Sequence, residues 1–156
     1  MRGVAAKAVT RRGAELLAVV AIGGRAAQAA PAGVRIEVWK DPSCGCCGGW
    51  VRHMRGAGFE IVAHDVADLD TVKRANGVPE ALWSCHTTLV EGYVVEGHVP
   101  ASAVRRLLAG RPDIRGIALP GMPPGSPGMN GPKTEPFTIY ALPRDAAAEP
   151  AVYAVE

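Results

Sequence analysis

The sequence predicts an α/β domain built on a mixed sheet. Apolar and polar residues alternate through Val34-Arg35-Ile36-Glu37-Val38-Trp39 and through Phe59 to Asp65, as half-buried strands do, and Thr87 to Val90 reads as a third strand. Segments of helical periodicity separate the first three strands, which implies a partly parallel sheet. Glu91-Gly92 then places a tight turn before Tyr93–Glu96, adding an antiparallel hairpin.

The elements follow in order. Asp41-Pro42 ends the first strand, because proline has no N–H for the ladder. A loop carrying Cys44-Gly45-Cys46-Cys47 comes next. From Cys47 to Ala57, Trp50, Val51 and Met54 recur at helical spacing, and Gly56-Ala57-Gly58 stops the helix. After the second strand, Asp68 caps a short helix running through Lys73 and Arg74 to Asn76, with Gly77 as its stop. Gly77 to Trp83 is a connection leading to Ser84-Cys85-His86 and the hairpin. Pro100 opens a third helix, with Val104, Leu107 and Leu108 on one face and Gly110 at its end. The order is β-α-β-α-β-β-α.

Beyond Pro112 the texture changes. Pro120-Gly121-Met122-Pro123-Pro124-Gly125-Ser126-Pro127-Gly128-Met129 suits neither helix nor sheet interior and reads as a long Pro/Gly/Met loop. Phe137 to Ala141 reads as one more strand. Ala151 to Val155 either pairs with it or frays as a tail. There are no internal repeats.

The first 29 residues read as an export signal. Arg2, Lys7, Arg11 and Arg12 form a basic start, Leu16 to Ile22 is an apolar run too short to span a bilayer, and Ala27-Gln28-Ala29 is a small-x-small cleavage site. Thr10-Arg11-Arg12 hints at a twin-arginine route, and ordinary secretion fits as well. The competing reading is a cytosolic N-terminal helix. The expected organisation is a cleavable signal at 1–29, one domain at 30–142, and a tail or edge strand at 143–156. Cleavage removes five of the 17 basic residues and one of the 15 acidic ones, so the mature chain carries a formal net charge of −2. No basic patch remains for nucleic acid, and no second apolar run suggests a membrane span.

Four cysteines are the chemically informative residues. Cys44, Cys46 and Cys47 share one turn, and Cys85 stands beside His86. Two structural disulfides are one reading for an exported chain. The spacing disfavours it: an adjacent Cys46–Cys47 bridge is strained, and a Cys44–Cys46 bridge closes almost no loop. Cys44 and Cys47 instead form C-x-x-C between a strand and a helix. Backbone N–H groups and the helix dipole favour a thiolate there, which is both nucleophile and metal ligand.

This arrangement resembles the thioredoxin-like fold. In that fold the segment before the third core strand lies against C-x-x-C and usually carries a cis proline. Here Ser84-Cys85-His86-Thr87 fills that slot, which would bring Cys85 and His86 to Cys44 and Cys47. The resemblance becomes specific through Asp41-Pro42 with Cys44-Gly45-Cys46-Cys47, Gly77-Val78-Pro79, Ser84-Cys85-His86-Thr87, Gly92-Tyr93, Glu96-Gly97-His98-Val99-Pro100, Pro120-Gly121-Met122-Pro123 and Gly125-Ser126-Pro127-Gly128-Met129. Together these resemble the DUF411 family of exported bacterial metal-binding proteins, which includes CopG-type copper-resistance proteins. The resemblance covers about Val34 to Tyr140. It implies a thioredoxin-like fold, copper bound through the cysteines, and a periplasmic role in copper handling.

The donor types point the same way. Cuprous ion is soft and favours thiolate and thioether ligands. The candidate metal ligands are Cys44, Cys46, Cys47, Cys85, His86 and Met122. Zinc is the competing ion, since Cys₃His is a common zinc set, and an iron–sulfur cluster is a remote third. The runner-up function is a thiol-disulfide oxidoreductase using Cys44 and Cys47, with Cys46 and the missing proline counting against it. Expected partners are copper ions and other periplasmic copper-handling proteins. The remaining candidates have plainer readings: His98 as a helix-entry or loop residue, His53 and His64 as solvent-facing, Met54 as core, Met129 as a loop plug and Tyr93 as strand packing.

Overall fold

The computed structural model describes residues 33–145 and 147–156; the expected export signal lies outside them. Its elements are β1 (Arg35–Lys40), α1 (Gly45–Gly56), β2 (Glu60–Asp65), α2 (Leu69–Ala75), a 3-10 turn at Glu80–Leu82, β3 (His86–Val90), β4 (Tyr93–Gly97), α3 (Ala101–Gly110), β5 (Gly116–Leu119), β6 (Thr138–Leu142) and β7 (Ala151–Val155). The seven strands form one mixed sheet in the order β2-β1-β3-β4-β5-β6-β7. β1 runs parallel to β2 and antiparallel to β3, and β4 closes the hairpin on β3. The β2-β1-β3-β4 half with its three helices is the thioredoxin-like unit expected from the element order.

The second half differs from expectation at one strand. Gly116-Ile117-Ala118-Leu119 pairs parallel to β4 and antiparallel to β6, and so joins the expected C-terminal hairpin of β6 and β7 to the sheet. All four residues of β5 are buried, so the strand shows none of the alternation that marks a half-exposed one. Gly116 is obligatory here: a Cβ on it would stand 1.8 Å from the Val94 carbonyl oxygen.

The core lies mainly on one face of the sheet. Trp50, Val51 and Met54 of α1 and Val104, Leu107 and Leu108 of α3 pack against Ile36, Val38, Val95, Ile117 and Ile139. The other face holds a smaller cluster in which Val78 and Leu82 cover Val94, Ala118 and Leu142. Asp68 caps α2 as expected, its carboxylate accepting the Thr71 N–H at 3.0 Å. α1 begins earlier than the apolar spacing indicates. Cys44 is its N-cap, with the sulfur accepting the Cys47 N–H, so Cys46 and Cys47 lie on the first helical turn.

Candidate metal centre

Four sulfurs meet at the N-terminus of α1. Cys44 and Cys47 are joined as a disulfide, and Cys46 and Cys85 are free. Cys46 Sγ lies 3.4 Å from Cys44 Sγ and 3.7 Å from Cys85 Sγ. All four Sγ atoms fall within 4.8 Å of one another. Cys47 is fully buried beneath the others, which are half-buried. The turn entering the site is held by Asp41, whose carboxylate accepts the Ser43 N–H at 2.7 Å. The hydrogen bonds from Ser43 lower the Asp41 pKa and keep it ionised.

Cys85 occupies the slot ahead of β3 where the thioredoxin-like resemblance put it. Its Sγ is 2.7 Å from Nε2 of His98, while His98 Nδ1–H donates to the Pro127 carbonyl at 2.7 Å. That carbonyl selects the tautomer, leaving the Nε2 lone pair aimed at the sulfur. Burial lowers the His98 pKa, with the Pro127 carbonyl partly opposing it, so the imidazole is neutral near pH 7. The Cys85 thiol is pushed up to about 11, first by burial and then by Cys46, so its S–H donates to Nε2. His98 is therefore a member of the site and not simply a helix-entry residue. Gly97, at φ +76°, makes this approach: a Cβ there would meet Ser84 Cβ at 2.5 Å and the Leu119 oxygen at 2.6 Å.

His86 opens β3 and is completely buried, with neither ring nitrogen hydrogen-bonded. Its ring centroid lies 4.6 Å from that of Trp50 and 5.0 Å, edge-on, from that of His98. Burial, His98 and Lys73 hold its pKa well below the ordinary value. Ligand atoms of Cys85, His86 and His98 fall within 4.8 Å of one another. Leaving a buried polar group unmatched costs about 1–3 kcal/mol, and a soft or borderline metal ion is one partner that would remove this cost. The clustered donors are sulfur and imidazole with no carboxylate among them, a set that fits copper or zinc rather than magnesium or calcium.

The Pro/Gly/Met loop between β5 and β6 lies against this centre. A Cβ on Gly128 would stand 2.4 Å from the Cys46 carbonyl oxygen and 2.5 Å from the Trp50 nitrogen, and one on Gly49 would stand 2.7 Å from Gly128 Cα. The loop backbone thus rests directly on the first turns of α1. Met122 is 54 % exposed. Its neighbour Gly121 is tied to the segment just ahead of Cys85, donating its N–H to the Trp83 carbonyl at 3.2 Å and accepting from Ser84 Oγ. Met129 is half-buried, and its N–H donates to the Ser126 carbonyl at 2.8 Å.

Beneath Cys85 sits an ion pair that sequence reasoning did not single out. Lys73 Nζ lies 2.6 Å from Glu96 Oε1, with the two side chains 3 % and 0 % exposed. The same oxygen accepts the Ser84 N–H at 2.7 Å, and Thr87 Oγ1 donates to the other at 2.7 Å. The carboxylate therefore holds the Ser84 backbone ahead of Cys85-His86 and the Thr87 side chain behind it. Burial raises the Glu96 pKa, against Lys73, Ser84 and Thr87, which lower it. The other histidines lie elsewhere. His53 is exposed and accepts the Ala101 N–H at 3.3 Å. His64 is half-buried against Trp39, with centroids 4.9 Å apart, and reaches Glu37 at 3.2 Å. Met54 is core and Tyr93 packs within β4.

Comparison with known proteins bears on this centre directly. Residues 82–129, which include Cys85, His86, His98 and most of the loop, match the family described as "Protein of unknown function, DUF411". Two solved structures titled "Copper resistance protein copG", Form 2 and Form 1, are 40 % and 39 % identical to this chain. Each aligns over 79 % of this chain, covering 98 % and 97 % of its own length, with TM-scores of 0.72 and 0.71. No curated protein matches. His98 was legible only through the Glu96-Gly97-His98-Val99-Pro100 segment, and nothing local set its imidazole apart from an ordinary loop histidine.

Proposed function

The chain belongs to the DUF411 copper-resistance family, and on that premise we propose that it is a periplasmic protein that binds Cu(I). The reduced thiolates of Cys44, Cys46, Cys47 and Cys85 would hold the ion. The observation that carries this reading is the convergence of four sulfurs within 4.8 Å. Thiolates are the ligands soft Cu(I) prefers, and a compact group of them suits it better than oxygen-preferring cations. His86 supplies a buried imidazole without another partner. Met122 supplies a thioether on a loop whose neighbouring residue is tied to Ser84. Copper is the cargo in this account, and the cysteines are its reversible hosts.

The disulfide state of the site supports a redox link. When Cys44 and Cys47 pass from two thiols to one disulfide, they release two protons and two electrons. Two Cu(II) ions accept those electrons and become two Cu(I). The bridged form keeps only Cys46 and Cys85 as thiols, so oxidation also withdraws ligands. Export to the periplasm, with the signal at 1–29 removed, would put the site where disulfides form and persist. No helix among the described residues is long and apolar enough to cross a membrane.

The test is competition between reduced, metal-free mature protein and a Cu(I) chelator of known affinity, repeated with zinc. The account expects Cu(I) to be withdrawn from the chelator and zinc to be held more weakly. Undiminished Cu(I) affinity after Cys44→Ser, Cys46→Ser, Cys47→Ser and Cys85→Ser together would sink it. N-terminal sequencing of periplasmic material tests the leader, with Ala30 expected first. The bridged C-x-x-C at a helix N-terminus favours one other reading, a thiol-disulfide oxidoreductase. Robust reduction of insulin by metal-free protein, abolished by copper, is the outcome that would favour it.

A further inference from the structure

The described Cys44–Cys47 bridge leaves two thiols, and the geometry constrains what they can do. Cys46 and Cys85 are 3.7 Å apart, sulfur to sulfur, in van der Waals contact. A disulfide needs about 2.05 Å, so the sulfurs must close by under 2 Å. Both residues are half-buried, so a small oxidant can reach this pair while Cys47 stays covered. With Cys44 and Cys47 already joined, each of these thiols is the other's only free-cysteine partner.

We propose that Cys46 and Cys85 form a second disulfide. The site would then have three thiol states: four thiols, one bridge and two bridges. This deepens the reading of the cysteine cluster as a redox-responsive metal host, but it does not itself require copper. The chemistry needs a two-electron thiol oxidant, here a low-molecular-weight disulfide RSSR. One protein thiolate attacks RSSR, forms a mixed disulfide and releases one thiolate, RS⁻. The second protein thiolate attacks the protein sulfur of that mixed disulfide and expels the other RS⁻. The two protein protons leave on two RSH, so one RSSR is reduced for each protein bridge formed. Fully reduced protein therefore yields four electrons in two steps. The second step ties the first turn of α1 to the segment ahead of β3 and removes the last two thiolate donors, leaving the doubly bridged protein only imidazole and thioether groups for a soft metal.

The experiment uses metal-free mature protein, fully reduced under argon, then treated with excess oxidised glutathione. Free thiols are alkylated under denaturing conditions, and the intact mass and non-reduced peptides are measured. The expected result is loss of four hydrogens, no alkylated cysteine and a Cys46–Cys85 cross-linked peptide. The Cys44→Ser/Cys47→Ser variant is expected to lose two hydrogens and give the same cross-link. If that variant fails to fold, the wild-type peptide map still decides. Alkylated Cys46 and Cys85 beside an intact Cys44–Cys47 bridge would overturn the proposal, as would glutathione persisting on Cys46 or a scrambled pairing. Because no metal is present, failure here leaves the copper reading untouched. Weak Cu(I) binding by reduced protein, conversely, would not bear on the second bridge.

Discussion

Replacing Lys73 with methionine removes the cation from a pair that is almost wholly buried. The Glu96 carboxylate then keeps the Ser84 N–H and the Thr87 hydroxyl as donors and loses its 2.6 Å ammonium. Breaking a buried ion pair from one side costs about 3–5 kcal/mol, because the surviving charge has no counter-ion. The two retained donors put the expected loss near the lower end, about 3 kcal/mol. That is a large part of the roughly 5–15 kcal/mol a domain commands. The pH dependence follows from the Glu96 shift. Burial raises its pKa, and in the variant Lys73 no longer opposes this. Between the unfolded carboxyl value near ~4.3 and the raised folded value, the native state binds more protons than the unfolded one, so stability falls as pH rises. The deficit should be largest at pH 8 and shrink toward pH 5, where a protonated Glu96 needs no cation. Urea denaturation at both pH values measures it, and Glu96→Gln in the same background should restore stability at pH 8. A loss under about 1 kcal/mol, the range of an exposed pair, or a deficit that grows on acidification, would refute the reasoning.

Gly128→Ala should lower the Tm by several degrees and weaken Cu(I) binding. The position holds φ +91°, and the added Cβ would sit 2.4 Å from the Cys46 oxygen; thermal unfolding and chelator competition read the two effects. His98→Gln should weaken Cu(I) binding about tenfold, roughly 1.4 kcal/mol, if the Nε2 facing Cys85 is a donor. Unchanged affinity would reduce its role to holding the Pro127 loop. Trp50 packs against His86 at 4.6 Å, so copper should quench part of the tryptophan emission. Trp50→Phe should remove most of that quenching, although Trp39 and Trp83 remain.

The first half of the fold was legible because its signals are local. β1 and β2 alternate, the Glu91-Gly92 turn marks the hairpin that ends in the fully buried β4, Asp68 caps α2 within its own turn, and glycines close α1 and α2. β5 was not, because Gly116-Ile117-Ala118-Leu119 is buried on both faces and owes its pairing to β4 and β6. The site divides in the same way. Cys44, Cys46 and Cys47 are neighbours in the chain, and Cys85 followed once its slot before β3 was identified. His98 reaches Cys85 only because Gly97 lets the end of β4 pass against Ser84, a tertiary event with no local pattern. The Lys73–Glu96 pair has no sequence signal, since such residues are rarely buried unless paired and their pairing spans 23 positions. Met122 offers a thioether, and it stands exposed next to Gly121, which is tied to Ser84 just ahead of Cys85.

The central claim is that the reduced cysteine cluster holds Cu(I) and that oxidation of Cys44 and Cys47 releases it. The most direct measurement compares Cu(I) affinity, by anaerobic competition with a chelator, for mature protein with four free thiols and for protein carrying the Cys44–Cys47 bridge, with thiols counted in each sample. The account predicts that the reduced form binds at least about 100-fold more tightly, a difference of roughly 2.7 kcal/mol. Equal affinity in the two states, or no binding by the four-thiol form, would contradict it.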